Sequence, residues 1–247
     1  MQQAVLQVRG RISPTLDIRA SLHQLNASVI DAFIPNLLDK GAIEARARVH
    51  GSTSVPTGEI SLDAVGLRMK NDAGRVLPAV DAHAAAQLLG DTAQLDIKLG
   101  AGTSALTASG RAPLNAAGEL AIKVAGKLDL ALVNPLLEAR GQRVAGDIHI
   151  DASVTGQSAQ PKISGSLEIA HGSLRDYAQG VQLSDISAKI LGEDGNLRID
   201  SLTARAAPGN IAVTGTFGLL QSGMPVDLKL TAKNAQPIQS ALVTSRL

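Results

Sequence analysis

Along most of this chain, apolar and polar residues take strict turns. Leu16, Ile18, Ala20 and Leu22 alternate with Asp17, Arg19, Ser21 and His23; Ile43, Ala45, Ala47 and Val49 alternate with Glu44, Arg46, Arg48 and His50. Leu95, Ile97 and Leu99 follow the same rule, as do Ile122 and Val124, then Ile148, Ile150, Ala152 and Val154. It continues through Leu197 and Ile199, through Ile211, Val213, Gly215 and Phe217, and through Val226, Leu228, Leu230 and Ala232. A period of two is the mark of a strand with one face withdrawn from water. Gly, Asn, Asp or Pro ends most of these runs. The expectation is an all-β, mainly antiparallel sheet. Helical spacing is confined to Asn26–Leu38, where Val29, Ile30, Phe33 and Leu37 share a face, and to Asp129–Arg140, where Leu130, Val133, Leu136 and Leu137 do. Pro35 and Pro135 limit both. Ala79–Leu89 reads as strand or loop rather than a third helix.

The pattern repeats. Residues 41–63, GAIEARARVHGSTSVPTGEISLD, and 146–168, GDIHIDASVTGQSAQPKISGSLE, share eight of 23 positions without gaps at an offset of 105. Weaker matches at offsets of 102 to 106 extend it: Leu25 with Leu128, Leu95 with Leu197, Gly110 with Gly215, Val124 with Leu230. The chain then divides into an opening strand over 1–15, a first module over 16–120, a second over 121–225 and the start of a third over 226–247, in one continuous elongated domain. Stacked modules of this kind bury their faces only against neighbours. An array that stops part-way through a module, and an opening MQQAVLQVRGRISP without the apolar core of a signal peptide, lead to the expectation of an internal piece of something longer.

Composition narrows the function. Two Phe, one Tyr and no Trp leave Ala, Leu, Val and Ile to build any apolar surface. Stacked-base recognition needs aromatic platforms, and an outer-membrane barrel needs aromatic girdles. A net charge of +1 adds no general pull toward nucleic acid, so no nucleic-acid partner is expected. The absence of Cys suits an oxidising compartment and removes thiolate metal sites.

Candidate chemistry is sparse. His149 has Asp147 and Asp151 at i±2, on one strand face, but a metal there would need another ligand from a neighbouring strand. A solvated strand face accounts for the trio. Gly100 and Gly102 precede a strand rather than a helix and read as a turn; Glu193-Asp194-Gly195-Asn196 reads as a tight hairpin. Arg46, Arg48 and His50 make a small basic stripe, yet their counterparts at the 105 offset are Asp151, Ser153 and Thr155, so the stripe reads as solvated. No catalytic constellation stands out, and the expectation is a protein that is not an enzyme, with no cofactor and no metal. What both copies keep is the apolar face. Either it closes into a dry core, or it stays open as a large apolar surface of the kind that marks a binding site.

The stretch 163–219 resembles the C-terminal region of the TamB family, in the AsmA-like superfamily. The resemblance runs through Pro161, Gly165, Leu167, Ile169, Gly172, Gly180, Val181, Leu183, Ile186, Leu197, Ile199, Gly209, Ile211, Val213 and Gly215. The first copy follows more loosely at Pro56, Leu62 and Gly110. The resemblance implies a long curved sheet folded into an elongated, taco-like trough with an apolar interior and two or three short helices. It implies the periplasmic portion of a protein anchored in the bacterial inner membrane, supporting outer-membrane biogenesis. The partners implied are phospholipid or other acyl chains, and a TamA-type outer-membrane barrel assembly protein reached through parts missing here. The expected groove residues are Ile43, Ala45, Ala47, Val49, Leu95, Ile97, Ile122, Val124, Ile148, Ile150, Ala152, Val154, Leu197, Ile199, Ile211, Val213, Leu228 and Leu230, acting as wall. Their role is to shield acyl chains or nascent outer-membrane protein strands. The small Ala45, Ala47 and Ala152 leave room that a Leu would fill. A structural β stalk and an edge-strand docking module are the alternatives.

Overall fold

The computed structural model describes residues 4–13, 15–27, 29–30, 38–71, 75–193, 196–218, 225–239 and 244–245. The fold is all-β. Strands β1 (Val5–Arg11), β2 (Leu16–Asn26), β3 (Leu38–Gly51), β4 (Pro56–Met69), β5 (Val80–Leu89), β6 (Thr92–Ala101) and β7 (Ser104–Pro113) come first. Then follow β8 (Glu119–Asp129), β9 (Gln142–Gln157), β10 (Lys162–Asp176), β11 (Val181–Glu193), β12 (Asn196–Ala206), β13 (Gly209–Gly218) and β14 (Val226–Lys233). These fourteen lie in chain order in one long sheet that does not close on itself, with antiparallel pairing from β1 to β7 and from β10 to β14. Short connections between consecutive strands make such an order the simplest outcome for alternating sequence. Contacts gather into two compact units, Met1–Val124 with Val154–Pro161, and Ala125–Ser153 with Lys162–Leu247; the division falls within β8 and β9.

Helix is scarce, as the spacing predicts. Ala27, Val29 and Ile30 are helical, with the Asn26 side chain accepting from the Val29 amide at 3.2 Å, and 31–37 lie outside the described residues. Asp129–Arg140 is not one amphipathic helix. It is a 3-10 turn (Leu130–Val133), a four-residue α1 (Asn134–Leu137) and a second 3-10 turn (Glu138–Arg140). Pro135 is tolerated because it sits in the first turn of α1, and Gly141 ends the segment at φ 72°. Asn134 is buried and stands in for a strand neighbour: its Nδ2 donates to the Val144 carbonyl at 2.9 Å and its Oδ1 accepts from the Val144 amide at 2.8 Å. The β10–β11 turn is held by Asp176, which accepts from Gln142 Nε2 at 2.8 Å and from the Gln179 amide at 2.9 Å. Those bonds, that from Gln142 foremost, hold its carboxyl below the ordinary value of 3.8. Ala79–Leu89, read as strand or loop, is β5.

After β14 the second unit folds back on itself. The Gln236 amide donates to Ala206 at 3.0 Å, the Gln182 amide donates to Pro237 at 3.1 Å, and Ile238 of β15 (Ile238–Gln239) pairs with Val181 at the start of β11. Ala206 and Ala235 are fully buried at this return. β15 in turn pairs with β16 (Thr244–Ser245).

Two regularities underlie the repeat. Register shifts recur beside residues of positive φ: Gln24, Gly41 and Gly66 in β2, β3 and β4, and His171 and Asp185 in β10 and β11. Gly66 and His171 stand 105 residues apart, so the bulge repeats along with the strand. Bulges bend a strand and increase its twist. The second regularity is a glycine in every third strand, at positions 10, 58, 110, 165 and 215, with φ between 142° and 151°. Each lies in an apolar-polar-Gly-polar-apolar run, except that Pro56 takes the leading place before Gly58: VRGRI, PTGEI, ASGRA, ISGSL and VTGTF. A Cβ at any of the five would collide with a carbonyl oxygen of the adjacent strand. That strand is alternately the next one and the previous one (Asp17 in β2 for Gly10, Arg48 in β3 for Gly58), because three steps reverse strand direction. The elementary repeat is therefore three strands, and the 105-residue offset spans two of them.

Candidate functional site

Antiparallel pairing puts directly opposed residues on the same face of a sheet, so the strand registers settle which side chains share a surface. In the first unit they assemble complete aliphatic rows. Leu6, Leu22, Ala45, Leu62, Ala84, Ile97 and Ala108 form one row across β1 to β7. Val8, Ala20, Ala47, Ile60, Ala86, Leu95 and Gly110 form the next, and Gly10, Ile18, Val49, Gly58, Leu88, Ala93 and Ala112 a third. A fourth runs through Leu25, Ile43, Ala64, Ala82, Leu99 and Leu106. Ile122 of β8 lies against Gly110, and Val124 alternates onto the same face.

The second unit repeats the arrangement. Gly165, Gly192, Leu197, Phe217 and Val226 form a row across β10 to β14, beginning against Ala152 of β9. Leu167, Ile190, Ile199, Gly215 and Leu228 form the second, and Ile169, Ala188, Leu202, Val213 and Leu230 the third. Ile211 lies between Ala204 and Ala232. Ile148 and Ile150 alternate with Ala152 along β9, while Val154 falls in the part of β9 that belongs to the first unit. Within the first unit the registers thus set the expected residues of β3 and β6 side by side on one face, and within the second unit those of β12, β13 and β14.

Coverage of that face is incomplete. Of the eighteen expected residues, only Ile199 is buried; Leu228 and Leu230 are exposed and the other fifteen are half-buried. Among the described residues no large side chain falls below 2% exposure. Neighbouring strands shield these side chains from the sides. Relief follows residue size. Ile60 and Leu62 of β4 remain 40% and 38% exposed because their cross-strand neighbours are Ala47, Ala86, Ala45 and Ala84. β5 thus forms an alanine-floored furrow, with Ile60 and Leu62 on one side and Leu95 and Ile97 on the other.

Sequence reasoning left Ile60, Leu62, the β5 alanines, Leu167, Ile169, Ile190 and Leu202 out of this face. The signal in β4 was present, since Ile60, Leu62 and Ala64 alternate with Glu59, Ser61 and Asp63. In β5 a run of alanines hides the period, because Ala occurs readily on either face.

The opposite face is polar and carries paired side chains: His83 Nδ1 lies 2.6 Å from Asp63, Lys127 Nζ 3.0 Å from Asp147, and Lys189 Nζ 3.3 Å from Glu168. His149 is exposed there. Among the described residues no group of three or more His, Asp or Glu is placed to hold a metal ion. No helix among them is long and apolar enough to cross a membrane. Comparison with protein families, with curated proteins and with solved structures finds no match.

Proposed function

We propose that this chain is a non-enzymatic segment of a TamB-like periplasmic bridge, anchored in the inner membrane through parts outside it. Its aliphatic face takes up lipid acyl chains or nascent outer-membrane strands in transit between membranes. The sheet curls into a trough around that face, and the chain supports outer-membrane biogenesis together with a TamA-type barrel protein. The observation that carries this reading is the unbroken, half-exposed aliphatic face. In the first unit it spans six inter-strand steps of ~4.8 Å by three two-residue steps of ~6.7 Å, roughly 600 Å². Soluble monomers rarely leave contiguous apolar patches of more than a few hundred Å² without a partner for them. Each methylene withdrawn from water against it contributes about 0.8 kcal/mol. The β5 furrow offers a floor of small side chains between two ridges, which suits an unbranched chain. A dry, closed core would instead place large side chains at negligible exposure. The compartment, the anchor and the barrel partner rest on the resemblance in sequence.

The test is capture. A photocrosslinking residue at Ile150 or Val213, with a matched one at Ala86 in the furrow, is expected to label acyl chains in cells. Native mass spectrometry of the gently purified chain is expected to show retained lipid or detergent. A consistently empty protein, with no lipid or strand adducts from any of the three sites, would sink the carrier reading. Ile150→Arg discriminates nothing, since it disturbs an open trough and a closed core alike. A second reading, strand capture at an edge, is favoured by β1: its outer edge has no partner among the described residues and its Leu6 and Val8 are more than 60% exposed.

A further inference from the structure

On the polar face of β1 to β3, opposite the aliphatic rows, three arginines stand directly side by side: Arg9 faces Arg19, and Arg19 faces Arg48. Arg46 lies beside Ser21 in the next row, and Gln7 lies on the other side of Ser21. Successive strands are ~4.8 Å apart, so the three guanidinium stems occupy a row of roughly 10 Å. Like charges directly opposed in a sheet repel, and the neighbouring carboxylates do little to relieve them. Glu44 pairs with Arg46 at 3.6 Å and Asp17 with His50 at 3.4 Å, while Glu59 stands across from Arg48 without an ion pair. Among the described residues Arg9, Arg19 and Arg48 have no ion-pair partner. The small Ser21 leaves a hollow of about 320 Å³, lined chiefly by Gln7, Arg9, Arg19, Ser21, Arg46 and Arg48. Read along one strand, Arg46 and Arg48 looked merely solvated; the fold adds Arg9 and Arg19 from two others.

We infer that this hollow binds a compact phosphate-bearing anion. A guanidinium presents a planar fork that matches two phosphoryl oxygens, and the tetrahedral phosphoryl group has oxygens for several forks at once. A single carboxylate is satisfied by one fork and would leave the remaining arginines opposed. Ser21 and Gln7 supply neutral donors within the same hollow. The proposal concerns the face away from the aliphatic rows and does not depend on the carrier reading.

The test titrates inorganic phosphate and pyrophosphate into the chain at low ionic strength, followed by calorimetry and by the arginine Nε–H NMR signals. Pyrophosphate is expected to bind saturably and to weaken as salt is raised. Arg19→Gln is expected to reduce affinity at least tenfold, and Arg19→Lys, which keeps the charge and loses the fork, severalfold. Arg111→Gln, on the same face in β7, is expected to leave binding unchanged. Circular dichroism checks that each exposed-site variant is folded. Vesicles of phosphatidylglycerol and of phosphatidylcholine then identify the source: competition by the anionic vesicles alone makes the ligand a headgroup, and no competition makes it a soluble phosphate. The inference is overturned by absence of saturable pyrophosphate binding, by Arg19→Gln or Arg19→Lys binding like the parent, or by an equal loss in Arg111→Gln. Vesicle binding without pyrophosphate binding also overturns it, since that is diffuse attraction to a charged surface.

Discussion

Strand β4 contains its own controlled experiment on why the sheet requires glycine. Gly58 and Gly66 both have positive φ, 142° and 66°, yet their surroundings differ. A Cβ on Gly58 would overlap the Arg48 carbonyl oxygen and sit 2.9 Å from its carbon and 3.0 Å from Val49 Cα, whereas one on Gly66 meets nothing within 4 Å. Carbon atoms pack best at ~3.5–4.0 Å, so Gly58→Ala must drive β3 and β4 apart. Holding a non-glycine residue at this φ costs about 1–3 kcal/mol. Displacing the ladder forfeits on the order of two hydrogen bonds at about 1 kcal/mol each. The stiffer unfolded chain returns about 0.4–1 kcal/mol. The net expectation for Gly58→Ala is a loss of about 3 kcal/mol, equivalent to a melting temperature lower by roughly 6–12 °C. Gly66→Ala carries only the left-handed backbone penalty of about 1–2 kcal/mol, less the same return, and should lose about 1 kcal/mol. Urea denaturation of both variants gives the comparison, and hydrogen exchange of the β3 and β4 amides localises it. If Gly58→Ala falls within about 1 kcal/mol of Gly66→Ala, the close approach of the two backbones is not what demands glycine.

Three further expectations can be checked by the same methods. His171→Gly removes a left-handed side chain at the position where the first copy already carries Gly66, and should stabilise by about 0.5–1 kcal/mol, read as a higher urea midpoint. Asn134→Ala deprives both backbone groups of Val144 of their partner and should cost about 2–3 kcal/mol, with faster exchange of the Val144 amide. Asp176→Asn removes a carboxylate whose folded value lies below 3.8 because Gln142 and the Gln179 amide donate to it. A depressed value contributes stability above the unfolded value and loses it as pH falls through the folded one. The parent should therefore exceed the variant in urea midpoint at pH 6–7, and the gap should shrink steadily below pH 4.

How far the sequence discloses this molecule depends on what kind of information a feature needs. The strands were legible because alternation is local: Ile43 to Val49 announce their face without reference to any other strand. The sharing of that face was only half legible, since placing Ala47 between Ala20 and Ile60 requires the register, which bulges at Gln24 and Gly41 adjust. The β5 alanines carried no period. Asp129–Arg140 has helical spacing but too short a run around Pro135 to sustain more than one α turn. The arginine hollow was illegible for a different reason: Arg9, Arg19 and Arg48 come from three strands, and nothing in one strand indicates what its neighbour sets beside it. The glycine spacing was visible only as the 105-residue offset, at which copies six strands apart share eight of 23 positions.

That last point bears on how such a chain can change in length. Gain or loss of a single strand breaks the three-strand spacing of the glycines and puts the next connection on the wrong end of the sheet. Gain or loss of three keeps the glycines in step but leaves the final edge pointing the other way. Only six strands, about 105 residues here, restore both at once. A lineage of these sheets should therefore vary in even multiples of the triplet, with heredity counting in sixes what the backbone builds in threes.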